Sequence, residues 1–248
     1  MTTPEASVSE SFVAHLLELR DRLLKIVAGI VVSVVCLLPF ANKLYNWLAQ
    51  PLLSKLPVGA HMIATAVTTP FFVPMKVAML VAVVVSLPYT LYQAWAFIAP
   101  ALYTNERRFI GPIVVASTVL FLVGMAFAYF AVFPVLFGFM ANTAPDGVVV
   151  MTDIGSYLDF VTTLFIAFGL AFEVPIAVVV LVRFGIVRVE TLKQIRGYVV
   201  VGAFVIGAIF TPPDVISQIM LAVPLWFLYE AGVFVARFVA PKPNLLRD

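Results

Sequence analysis

Three carboxylates stand out in a chain that has few of them. Glu173 lies in FGLAFEVPIAV, Glu106 in ALYTNERRF and Glu18 in FVAHLLELRDRLLK. A carboxylate in such a place caps or pairs a helix, carries a proton, or binds a cation. The surroundings decide among these.

Those surroundings are apolar. Of 248 residues, 63% are hydrophobic and 11% charged, with a mean hydropathy of +1.10. A soluble domain carries about a quarter charged residues. Lipid is therefore the solvent for most of the chain. The net charge of +2 is too small and too dispersed to call for nucleic acid. Cys36, the single cysteine, lies inside the first apolar run and cannot close an internal disulfide. The first 22 residues lack the basic start and small-residue cleavage site of a signal peptide. Insertion through the first helix, with the N-terminus kept, is the expectation.

Crossing ~30 Å of hydrocarbon takes about 20 apolar residues in a helix. Six runs qualify as spans, at about 23–41, 71–98, 109–137, 157–182, 196–210 and 214–239. The expected fold is all-α: a polytopic membrane domain over 23–239, an amphipathic N-terminal segment over 1–22, and a tail over 240–248. Pro88, Pro112, Pro134, Pro175 and Pro224 predict kinked, packed helices. The fifth run is short, since Pro212 and Pro213 end it. Roughly 15 residues reach about 22 Å. Either the bilayer thins there, or protein shields the pair, or Gln194–Gly197 supply the missing length.

Even-numbered spans put both termini on one side. Twelve of the 15 basic residues fall on that side, and Lys43, Lys55 and Lys76 on the other. The bias makes both termini, and the loop carrying Glu106, cytoplasmic. On the outer side, NKLYNWLAQPLL reads as a helix on the membrane surface, with Tyr45 and Trp47 at headgroup depth.

No enzyme constellation is visible. His15 and His61 fall on opposite sides of the membrane, and no HExxH, GxSxG or P-loop occurs. Nothing calls for a cofactor or a metal.

In the N-terminal segment, Phe12, Leu16, Leu19 and Leu23 share one helical face, while His15, Glu18 and Arg22 share another. Glu18 can pair with Arg22, and Asp21 with Lys25, at i,i+4, each for about 0.3–0.5 kcal/mol. Glu106 can lie in the first turn of the third span, where the helix dipole favours an acid by about 0.3–1 kcal/mol. Two carboxylates on one membrane face, among arginines and lysines, equally make a site for a cationic ligand. A guanidinium suits them best, because its planar fork meets a carboxylate through two bonds.

Glu173 lies near the middle of the fourth span, where a charge costs on the order of 2.5–3.5 kcal/mol. It is protonated, or faces a wet cavity, or packs against a neighbouring helix, with Gln218 as a candidate polar neighbour. Asp214, in TPPDV, reads as a cap of the sixth helix. Glu230 can pair with Arg237 or with a loop arginine. An alternative reading is a proton-coupled small-solute transporter with Glu173 as its proton site. Such transporters often carry paired internal repeats, and none is found in this sequence.

Over the whole chain the motifs HLLELRDRLL, MIATAVTTPFF, YQAWAFIAPALYTNERR, GMAFAYFAVFP, ANTAPDGV, SYLDF, FEVP and GAFVIGAIFTPPDVISQ occur in that order. From about Phe12 to Phe238 the sequence closely resembles the TatC family, the multispanning core subunits of the twin-arginine protein translocase. The resemblance implies six helices in a cup-shaped arrangement in a bacterial inner membrane. It implies binding of twin-arginine signal peptides at the cytoplasmic face. It implies single-span TatA and TatB as partners, self-association in the complex, and export of folded proteins driven by the protonmotive force. By the same resemblance, Glu18 and Glu106 are the signal-binding acids, supported by Arg20, Phe97 and Arg108. Pro51 and Glu173 match other functional positions, and the fifth and sixth helices match the docking edge for the single-span subunits.

Overall fold

The computed structural model describes residues 4–53, 62–102, 110–142, 152–210 and 215–239. Among them every regular element is a helix, and the only ladder contact is an isolated bridge between Ile63 and Asp153. Lipid leaves this choice, because a helix satisfies its own backbone and an open strand edge does not.

Helix α1 runs Pro4–Leu37, so the amphipathic segment and the first apolar run are one element. A 3-10 turn at Leu38–Phe40, with Pro39 at its start, separates it from α2, Ala41–Leu53. Helix α3 is Thr69–Leu102, and α4 is Ile110–Phe127. A π-helical turn at Ala128–Val132 joins α4 to α5, Phe133–Asn142. Pro134 accounts for the turn: it has no N–H to give the carbonyl of Phe130, and its ring crowds that oxygen. Then come α6 (Ile154–Arg183), α7 (Val189–Gln194), α8 (Arg196–Phe210) and α9 (Val215–Val239).

Among the described residues, five stretches are long and apolar enough to cross a membrane: Val13–Gln50, Thr69–Phe97, Ile110–Phe139, Ile154–Arg183 and Gln218–Val239. The remaining apolar helix, α8, has 15 residues, about 22 Å at the helical rise. Gln194 does not lengthen it, because Ile195 is a turn between α7 and α8.

The chain divides into two compact units. The first comprises Met1–Leu44 and Met75–Thr118. In it, Gly29 of α1 meets Tyr89 of α3 so closely that a Cβ would lie 3.0 Å from the ring. The indole N–H of Trp95 donates to the fully buried hydroxyl of Ser117 at 3.1 Å. That bond is what an indole needs where there is no water. The leucine face of α1 stays uncovered: Leu16, Leu19 and Leu23 are all exposed. Apolar residues uncovered by protein in a membrane helix face lipid rather than water.

The second unit comprises Tyr45–Pro74 and Val119–Asp248. Helices α6 and α9 form its centre. Gly232 lets α9 approach the proline break of α6, where a Cβ would lie 2.8 Å from Cα of Pro175. Val178, Val182, Tyr229 and Val233 close one core cluster with Val189 and Leu192 of α7. Ala171, Ala203, Ala222 and Leu225 close a second across α6, α8 and α9. Small side chains there let the backbones approach, which is how membrane helices gain dispersion contact without a hydrophobic drive. The π turn aims Tyr129 at α2, where its ring stacks on Trp47 and its hydroxyl donates to the Trp47 carbonyl at 3.1 Å. Tyr157 donates to the next carbonyl, Leu48, at 3.0 Å. Leu48 and Ala49 are the buried face of this end of α2, and Trp47 is exposed.

Candidate functional site

On α1, His15, Glu18 and Arg22 lie at i, i+3 and i+7, which places them on one face. Arg22 donates to Oε1 of Glu18 from Nε at 2.9 Å and from Nη2 at 2.6 Å. Its third nitrogen, Nη1, donates to Oε1 of Gln93 on α3 at 3.3 Å. Gln93 is buried, at 7% exposure. One turn further along α3, Phe97 stacks on His15, with ring centroids 4.4 Å apart and planes 15° from parallel. Two residues of α3 thus grip both ends of one polar stripe on α1.

The Glu18–Arg22 pair is neither buried nor free in solvent, with side-chain exposures of 39% and 21%. Sequence spacing anticipates it. Spacing also offers Lys25 to Asp21, but Asp21 instead accepts from Arg20, at 2.9 and 3.2 Å. Both partners of that pair are well exposed, so it contributes only ~0–1 kcal/mol. Glu106 and Arg108 fall outside the described residues, as does Asp214, and the side chain of Pro51 is outside them too.

In the second unit, Glu173 is partly buried, and its Oε1 is shut off from solvent. Pro175, two residues on, breaks the ladder of α6 beside it. Gln218, the candidate neighbour, uses its amide N–H to hold α8, donating to the Phe204 carbonyl at 2.9 Å. Gly207 makes room for that side chain, since a Cβ there would lie 3.0 Å from Cγ of Gln218. Glu230 takes a different cation from Arg237: Arg196, at the start of α8, reaches it at 2.6 Å. Arg237 lies over the Phe234 ring at 6.0 Å.

Asp153 escapes a reading by apolar pattern. Its Oδ1 accepts from the backbone N–H of Gly155 (3.0 Å) and Ser156 (2.9 Å), capping α6. Its Oδ2 accepts from the N–H (3.0 Å) and hydroxyl (2.9 Å) of Thr65. Two backbone bonds flank this clip, from Ile63 to Thr152 and from Ile154 to Ile63. Hydrogen bonds from Ser156 and Thr65 hold the carboxyl down at about 2, against an ordinary 3.8. The signal in the sequence is TDIGS, an N-cap residue just before an apolar run.

Residues 14–224 match the model of the family described as Sec-independent protein translocase protein (TatC). The chain belongs to the TatC family. A TatC of Escherichia coli strain K12 is 53% identical over 234 residues, which span 94% of this chain and 91% of that protein. A TatC of Haemophilus influenzae is 52% identical, covering 95% of this chain and 92% of that one. A crystal structure of a twin-arginine translocase receptor, TatC, superposes with a TM-score of 0.80 at 36% identity, covering 91% of this chain and 99% of that one. This TatC is thus a Sec-independent protein translocase component and not an enzyme. It is a multi-pass protein of the bacterial inner membrane. The solute-transporter reading of Glu173 is set aside.

Proposed function

We propose that this TatC is the receptor for twin-arginine signal peptides, with Glu18 and Glu106 as the carboxylates that take the two guanidinium groups. One observation carries the reading. Glu18 already holds a guanidinium through two nitrogens, from Arg22, at a half-sheltered position. A site that accepts Nε and Nη2 from its own chain has the charge and shape to accept them from a peptide. In water each such pair contributes ~0–1 kcal/mol. At a partly dry membrane edge each contributes ~1.5–3 kcal/mol. Contact between the apolar segment of the signal and the helices supplies the rest. Arg20, Phe97 and Arg108 shape the surroundings of the two acids.

Both termini and the Glu106 loop face the cytoplasm on this reading, supported by the bias of basic residues. The helices form six spans around a concave face, with Glu173 and Gln218 on the membrane-depth surface and Pro51 in the outer helix. TatA and TatB, as single-span partners, dock along α8 and α9, where the 15-residue helix leaves a thin edge. With self-association in the complex, this assembly exports folded proteins using the protonmotive force.

The test is binding of a twin-arginine peptide to the purified protein, compared with Glu18→Gln, Glu106→Gln and the double variant. Each acid removed should weaken binding about 10- to 100-fold, and preference over a twin-lysine peptide should shrink. Unchanged affinity and preference in folded variants would return both acids to structural roles.

A further inference from the structure

We infer that Arg22 is a resident guanidinium. In the empty receptor it occupies the Glu18 half of the signal site, and binding exchanges it for an arginine of the signal. The inference rests on the receptor reading above.

Arg22 presents to Glu18 the group that the ligand would bring. Its Nε and Nη2 edge faces Oε1, at 2.9 and 2.6 Å. Its other edge is anchored, because Nη1 donates to the buried Gln93 amide of another helix. Arg20, two residues earlier, shows the contrast. Its acid is the adjacent Asp21, and both side chains stand in solvent at 66% and 57% exposure. The segment therefore holds two arginine–acid pairs, and the Arg22 pair is the one tied to α3.

Exchange, rather than sharing, follows from the geometry. A guanidinium gains most when both oxygens of a carboxylate receive it side-on. Arg22 already crowds one of them with two nitrogens, and a second cation on the same acid would be repelled. Leaving is not prohibitive, since the 3.3 Å bond to Gln93 is long for a hydrogen bond.

An internal occupant lowers the apparent affinity of every ligand for Glu18 by the same factor, the fraction of receptor in which the acid is open. It sets a threshold that weak signals fail to pass. It leaves the ratio between arginine and lysine peptides unaltered.

The full-length protein, purified in detergent, would be titrated with a fluorescent twin-arginine signal peptide and with its twin-lysine counterpart. Arg22→Gln should tighten both by an equal factor of about 2- to 10-fold, the span between a weak helix pair and a charged hydrogen bond. Arg22→Lys keeps the charge but not the fork, and should tighten both by a smaller factor. It also stands in as the test if the glutamine variant does not fold. Tightening by glutamine alone would reduce the effect to charge repulsion and overturn the inference. Unchanged or weaker binding in both Arg22 variants, with Glu18→Gln still damaging, would also overturn it and make Arg22 a positioning residue. Indifference to Glu18→Gln itself would instead sink the receptor reading, and this inference with it.

Discussion

Asp153 and Glu18 each lie on or cap a helix of an apolar protein, and each accepts hydrogen bonds, but Asp153 through both oxygens, Glu18 through one, and from different donors. Asp153 is met by three backbone N–H groups, from Thr65, Gly155 and Ser156, joined by the hydroxyls of Thr65 and Ser156. These donors are neutral and fixed by the fold. Nothing can replace them without unravelling the start of α6. Glu18 is met by one long, charged side chain. That donor has rotatable bonds. A carboxylate served by backbone is fixed by the fold, whereas one served by an arginine is held by a side chain that can rotate away. The same functional group, a carboxylate, fastens a helix start at Asp153 and, on the receptor reading, would serve recognition at Glu18.

The sharpest way to break this contrast is to neutralise each acid and read two quantities. Glu18→Gln should weaken binding of a twin-arginine peptide by at least about tenfold, while the melting temperature moves by less than ~2 °C. Asp153→Ala should do the reverse. It should lower melting by ~2–4 °C, as expected for a lost cap in a chain of this size, and leave peptide affinity within about twofold. A variant that lost both properties would erase the distinction.

Acid titration sharpens it further. The Asp153 carboxyl is lowered from 3.8 to about 2 in the folded protein. A depressed pKa means that the folded state favours the charged form. The contribution is therefore complete above the ordinary 3.8 and is lost as pH falls through about 2. Melting followed from pH 5 to 2 should decline in the native protein more than in Asp153→Asn, whose amide cannot titrate. Parallel curves would mean that the clip adds nothing to the folded state.

A smaller effect separates packing from charge. Gly232→Ala sets a methyl against the backbone of Pro175 and should cost about 1–3 kcal/mol in the second unit. It should not alter the preference for arginine over lysine, which the receptor reading assigns to Glu18 on α1. The smallest effect belongs to the exposed Arg20–Asp21 pair: Asp21→Asn should change stability by no more than ~0–1 kcal/mol, with salt reducing even that.

Much of this was open to a reader of the sequence. The amphipathic stripe of α1 and the Glu18–Arg22 pair are local, set by a 3.6-residue period. The shortness of α8 follows from two prolines after Phe210. The unreadable parts are contacts between distant segments. Gln93 lies 71 residues from Arg22, and Thr65 lies 88 from Asp153. Periodicity tells which face of a helix is apolar, but not which neighbour it meets. The π turn was hidden for a related reason. Pro134 foretells a disturbance, but whether a helix kinks or gains a residue depends on what the displaced side chains find, and Tyr129 finds Trp47. The sequence offers Glu230 either Arg237 or a loop arginine, and only the approach of α8 to α9 makes Arg196 its partner.

On the receptor reading, Glu18 recognises a guanidinium and not merely a positive charge. The most direct test is a double-mutant cycle between receptor and ligand. Affinities would be measured for native protein and Glu18→Gln, each with a twin-arginine peptide and with peptides carrying lysine at the first or the second arginine. Recognition by Glu18 predicts that one lysine substitution costs about tenfold or more in the native protein and almost nothing in Glu18→Gln. An equal cost in both proteins, at both peptide positions, would contradict it.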